Sequence, residues 1–178
     1  MPITPDTKDW TFVLESTCSE CNFDVRSFPR EQLGKMIREN SDRWQTILTD
    51  PRVRQRPSED VWSALEYACH VRDVFRLYDE RLRLMIETDD PRYPNWDQDV
   101  AAVEDNYGEK DPSQVATDLA AAAADLADRF DRVDGSQWER TGKRSDGADF
   151  TIESFGRYLI HDPVHHVWDA ETGLASLS

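Results

Sequence analysis

Apolar side chains recur at three- and four-residue steps in four separate stretches of this chain, with polar and charged positions filling the intervals. In the first, Leu33, Ile37, Asn40, Trp44 and Leu48 form a stripe that Met36 and Ile47 widen. The spacing predicts a helix from Pro29 to about Thr49, with Pro29 and Glu31 in its first turn and Asp50-Pro51 ending it. The second and longest runs from Ser58 to about Glu87. Ser58 reads as its N-cap, Glu59 and Asp60 sit at the positive end of the dipole, and Val61, Leu65, Ala68, Phe75, Tyr78, Leu82 and Met85 form the buried row. The third opens at Asp111-Pro112-Ser113-Gln114, where Asp111 caps, Pro112 takes the first helical position and Gln114 can close a capping box. Val115, Leu119, Ala122, Leu126 and Phe130 carry its stripe through an alanine run. Thr151 caps the fourth, in which Phe155, Leu159 and Asp162 follow one line and Tyr158, His161, His165 and Trp168 the next. Pro163 removes one backbone hydrogen bond within it, so this helix either kinks or breaks and restarts there.

The remaining segments read as connections. Thr88 to Asp111 is long and acidic and carries Pro91, Pro94 and Trp96, which suits a binding loop or lid, although Trp96 more ordinarily packs back on the helices. Gly135 to Asp149 is polar, with turns at Gly142 and Ser145-Asp146-Gly147. Trp10 to Leu14 is rich in β-formers and reads as an extended segment. The expected fold is all-α: an antiparallel four-helix bundle over residues 29–178, a short extended N-terminal arm over residues 1–28, and a long loop between helices 2 and 3.

Composition narrows the function classes. At 178 residues the chain suits one domain. Its net charge of −15 repels phosphate backbones and anionic membranes, which argues against nucleic-acid and membrane partners. No apolar run approaches a membrane span, and the polar Met1–Asp9 stretch does not resemble a signal peptide. Three cysteines are too few for a disulfide scaffold and fit a reducing cytoplasm. A homodimer is left open.

The chemistry concentrates in Leu159 to Trp168, which holds three of the four histidines. On a helix His161 and His165 are i and i+4 and project from one face. An imidazole from a facing helix, for which His70 is the candidate, completes a facial three-nitrogen set with open positions, a ligand set suited to zinc, nickel or iron. His166 lies about 100° round the helix from His165 and reads as an outer-shell or surface residue. Glu66 and Asp73, one turn either side of His70, can orient its ring or stand as ordinary solvated charges. Cys18-Ser-Glu-Cys21-Asn22 is a CxxC with a turn-prone residue after it, as in a zinc knuckle. With no second CxxC it reads as a plain turn with reduced thiols, or as a metal or redox element separate from the histidines. Neither HExxH nor G-x-S-x-G occurs.

One histidine in the second helix, within Trp62-Ser-Ala-Leu-Glu66-Tyr-Ala-Cys-His70-Val-Arg-Asp73, and His161-Asp162-Pro163-Val164-His165 in the last resemble the DinB/YfiT-like four-helix-bundle superfamily. That superfamily includes bacillithiol- and mycothiol-dependent S-transferases and the mycothiol-dependent maleylpyruvate isomerase. The resemblance covers Pro29 to Glu171. It implies His70, His161 and His165 as ligands of one divalent metal, zinc or nickel, and an S-transferase-like reaction joining or isomerising a small electrophile with mycothiol or bacillithiol. The CxxC arm lies outside the family pattern, and Pro163 within HxxxH departs from it. Two competing classes remain: a metal-binding or stress-response protein without catalysis, and an interaction module whose CxxC arm carries structural zinc.

Overall fold

The computed structural model describes residues 8–177. The N-terminal reading of Met1–Asp9 therefore lies largely outside the described residues. Pro29 is extended and leads into a 3-10 turn, Arg30–Gln32, so helix α1 (Leu33–Ile47) starts at the first residue of its stripe and not at Pro29. Helix α2 spans Ala64–Glu87 and is capped by Ser63, not Ser58. Ser63 and Glu66 satisfy each other's backbone N–H groups, whereas the Ser58 hydroxyl donates to Asp60 and leaves residues before Ser63 in turns. Asp111 caps α4 (Pro112–Asp131) and Pro112 stands in its first turn, but the Gln114 side chain donates to Asp118 and closes no box. Thr151 caps α5 (Ile152–Ser176), which runs unbroken through Pro163.

The long connection is not structureless. It contains strand β1 (Arg92–Tyr93) and a short helix α3 (Gln98–Glu104). The second connection forms β2 (Thr141–Arg144) and β3 (Asp149–Thr151). The sheet order is β1-β2-β3, parallel between β1 and β2 and antiparallel between β2 and β3, with Gly142 opposite Phe150. A small sheet thus joins what the sequence pattern marks as all-helical. The turn at Ser145-Asp146-Gly147 holds, with Gly147 at φ 99° supplying the left-handed residue.

Helix α4 packs on α1 and α2, and α5 packs on the same two from the other side. Their directions follow from residue pairs. Gly34 meets Asp131 while Gln45 bonds to Ala116, so α1 and α4 are antiparallel. Tyr67 stacks on His166 while Tyr78 meets Phe155, so α2 and α5 are antiparallel as well. Leu33 packs at Gly156 and Asn40 bonds to the Pro163 carbonyl, so α1 and α5 run parallel, and α2 and α4 therefore do too. The expected antiparallel arrangement is thus half right. A parallel α2–α4 pair needs a connection that returns the length of α2, about 36 Å for its 24 residues, and this is what Thr88–Asp111 spans.

Residues Trp10–Leu14 form a 3-10 helix capped by Asp9, rather than an extended segment, and lie against α5. Val13, Cys18 and Val25 of the arm are buried. No described helix is long and apolar enough to cross a membrane.

Candidate metal centres

Helix α5 carries two i,i+4 donor pairs offset by one residue. His161 and His165 face the arm, and Asp162 and His166 face α2, about 100° away. Each pair meets a different partner. Cys18 Sγ lies 3.7 Å from His165 Nδ1, and Cys21 Sγ lies 3.7 Å from His161 Nε2. His70 Nε2 lies 3.3 Å from the Asp162 carboxylate, and His166 Nε2 lies 3.6 Å from it. Within each group the donor atoms are all within 4.8 Å of one another.

These groups cut across the His70, His161 and His165 set expected from the sequence. His161 and His165 come together, with ring centres 5.2 Å apart, but His70 joins Asp162 and His166 instead. The reason is helical phase: the residue facing His70 from α5 is one position beyond His161. His166, expected outside the site, is nearly buried against it, its ring 4.9 Å from that of His70. Cys18 and Cys21, expected apart from the histidines, touch them, because the arm folds back onto α5. Neither Glu66 nor Asp73 orients an imidazole. Glu66 is engaged by Arg56 and Ser63, and Asp73 by Arg72 and Tyr107. The orienting carboxylate is Asp169, which accepts from His166 Nδ1 at 2.8 Å and so turns Nε2 toward Asp162.

The chemistry of the His70–Asp162–His166 group fits a cation. Asp162 Oδ1 is shielded from solvent and has no hydrogen-bond partner among the described residues. Burial opposes ionisation of Asp162, but His70 and His166 hold its pKa well below the ordinary carboxylate range. Burial likewise lowers His166, yet the carboxylates of Asp162 and Asp169 win and raise it to about 10, so that a proton here does what a metal would do. In the other group, burial lowers His161 to about 4, and burial lowers His165 too, so both rings are neutral at pH 7. Burial pushes the Cys21 thiol up to about 11.

Aromatic rings wall both groups. Trp96 stacks on His70 with centres 5.4 Å apart, confirming that it packs back on the bundle, and Trp62 lies 5.5 Å from the same ring. Trp10 of the arm lies 5.3 Å from His161 and 5.0 Å from His165. The histidines open on a cavity of about 1040 Å³ that Tyr78, Arg81, Arg144 and Tyr158 also line. Arg144 pairs with Asp146. Arg81 is 5% exposed, donates to the Pro94 carbonyl, and has no carboxylate partner among the described residues.

A bundle of four long helices, with side chains of α2 and α5 that could hold a metal gathered beside a cavity, defines the class of protein. The chain belongs to the DinB superfamily, whose model matches residues 32–170. It is similar in fold to YfiT from Bacillus subtilis, a probable metal-dependent hydrolase with an unusual four-helix bundle topology. The TM-score is 0.71 at 15% identity, over 82% of this chain and 87% of that one. No curated protein is similar in sequence at a significant level.

Proposed function

We propose that this protein is a metal-dependent enzyme that transfers a low-molecular-weight thiol, of the mycothiol or bacillithiol type, to a small anionic electrophile. The observation that carries the reading is the His70–Asp162–His166 group lining the cavity. Two imidazoles and a carboxylate would hold one divalent ion, such as zinc or nickel, beside the cavity. Such an ion would supply Lewis acidity of the kind that makes a thiol more acidic.

The protein's own residues do the rest. Asp169 fixes the His166 ring, and Asp162 contributes a negative charge that offsets part of the cation's. Trp62 and Trp96 restrict water around His70. Arg81 and Arg144, which line the same cavity, suit a carboxylate on the substrate and would hold it while its reactive carbon meets the donor group. A cavity of about 1040 Å³ has room for both a thiol and its acceptor. The same open face would also admit water as nucleophile, the hydrolytic chemistry suggested for YfiT.

The test loads the untagged protein with zinc or nickel and measures conjugation of mycothiol, bacillithiol or glutathione to monochlorobimane and to carboxylated electrophiles. Thiol-dependent rates above background that His70→Ala and Asp162→Ala abolish support transfer. Hydrolysis of esters or amides without thiol dependence replaces it with the hydrolytic reading. Metal bound with neither rate supports the non-catalytic one.

A further inference from the structure

The bundle's own donor group leaves Cys18, Cys21, His161 and His165 unexplained, and these four residues form a complete ligand set of another kind. We infer that they bind a second divalent ion, of the zinc class, in a closed tetrahedral site that fastens the N-terminal arm to α5.

The distances suit a single ion. With zinc about 2.3 Å from sulfur and about 2.0 Å from nitrogen, a tetrahedral S–Zn–N angle puts the two donors about 3.5 Å apart. Both sulfur–nitrogen pairs stand at 3.7 Å, and all four donors lie within 4.8 Å of one another. Two thiolates and two neutral imidazoles are a structural zinc set, soft enough to disfavour magnesium and calcium. Their two negative charges neutralise a divalent cation, so burying the ion beside α5 leaves no net charge in the interior. Binding releases the two thiol protons to solvent.

The arm is shaped for this. The Cys18 N–H donates to the Phe23 carbonyl and the Asn22 N–H to the Cys18 carbonyl, closing a tight loop in which Asn22 takes a left-handed φ of 58°. That loop turns both sulfurs toward one helix face. On the far side of the site, His165 Nε2 lies 3.6 Å from Glu20 and 3.7 Å from Asp169, the kind of carboxylate that accepts the second N–H of a metal-bound imidazole. Trp10 covers the two histidine rings. With four protein donors there is no open position, so the site acts as a clip. It holds Trp10 against the mouth of the cavity, which Trp10 helps to line.

The experiment uses the untagged full chain, reduced, stripped with chelator and reloaded with zinc. X-ray absorption at the zinc edge of the parent should show sulfur scatterers at about 2.3 Å together with nitrogen at about 2.0 Å. Elemental analysis of Cys18→Ser/Cys21→Ser should show one equivalent fewer than the parent, with no sulfur shell remaining. In His70→Ala the sulfur shell should persist, which separates this site from the one in the cavity. A parent spectrum without sulfur, a Cys18–Cys21 disulfide that survives reduction, or a double-cysteine variant holding as much zinc as the parent would overturn the inference. The parent spectrum decides the matter even if the variant fails to fold.

Discussion

Asp169 and His166 are bonded at 2.8 Å, carboxylate to Nδ1, one turn beyond the residue that faces His70. The same carboxylate oxygen stands 3.7 Å from His165 Nε2, so one side chain serves as the outer neighbour of both donor groups on α5. Outer-shell carboxylates fix the tautomer and the aim of an imidazole, and removing one typically weakens metal binding by about 10- to 100-fold. Asp169→Asn should therefore lower affinity at the His70–Asp162–His166 group by that order, with the helical circular dichroism unchanged. Competition with a chromophoric chelator measures it. Unaltered affinity would mean that the ring holds its aim without Asp169.

Glu66 links stability to pH. Burial raises its pKa, but the hydrogen bonds and charge of Arg56, with those of Ser63, more than offset this and leave it below the ordinary value of 4.5. A depressed carboxylate contributes stability above its unfolded pKa and loses that contribution as pH falls through its folded pKa. Glu66→Gln keeps an acceptor for the Ser63 N–H while deleting the charge. Its thermal midpoint should lie below the parent's at pH 7, and the gap should close as pH is lowered beneath about 4.5. A gap that is constant down to pH 3 would show that the charge contributes nothing.

Gly34 sets how closely α1 approaches α4. A Cβ there would lie 2.9 Å from the Ala127 carbonyl oxygen and would collide with the Asp131 carboxylate. The carboxylate can swing away, but the carbonyl belongs to a helix backbone and cannot. Gly34→Ala gains helix propensity yet should cost about 1–3 kcal/mol from overpacking. Denaturant unfolding gives the sign directly, and a stabilised variant would show that the two helices have slack.

What could be read from the sequence was local. The Asp111 and Thr151 caps, the apolar stripes and the Ser145-Asp146-Gly147 turn each depend on neighbours within a few residues, and each appears in the structure, except that Val61, expected in the buried row of the second helix, lies before α2 and is exposed. Ser58 and Ser63 compete as caps, and only Ser63 has the reciprocal glutamate three residues on, a signal present in Ser63-Ala-Leu-Glu66. Two-residue strands such as β1 carry no alternation to detect. The donor groups were harder to separate. CxxC and HxxxH are the two halves of a Cys2His2 set, but their contact spans more than a hundred residues of chain. Asp162-x-x-x-His166 repeats the HxxxH spacing one residue later. Helical phase relative to His70 decides between the two pairs, and phase depends on how α2 and α5 pack.

Arg81 offers a test of substrate charge that needs no known reaction. It is a buried guanidinium over the rings of Tyr78 and Tyr93, and among the described residues it has no carboxylate to neutralise it. Burial pulls its pKa down from the ordinary arginine value, yet a guanidinium stays protonated at pH 7. A charge kept in that position costs stability unless a ligand supplies the anion. Arg81→Met keeps the volume and the apolar stem, and the exposed Pro94 that loses its donor can turn to water. The variant should therefore melt at or above the parent's temperature while binding small carboxylates about 10- to 100-fold more weakly, the range expected for losing one charged hydrogen bond of about 1.5–3 kcal/mol. Thermal-shift titration with mono- and dicarboxylates and their neutral amides reads both effects. Equal shifts in parent and variant would remove Arg81 from recognition, and a variant that melts well below the parent would assign the guanidinium to the core instead.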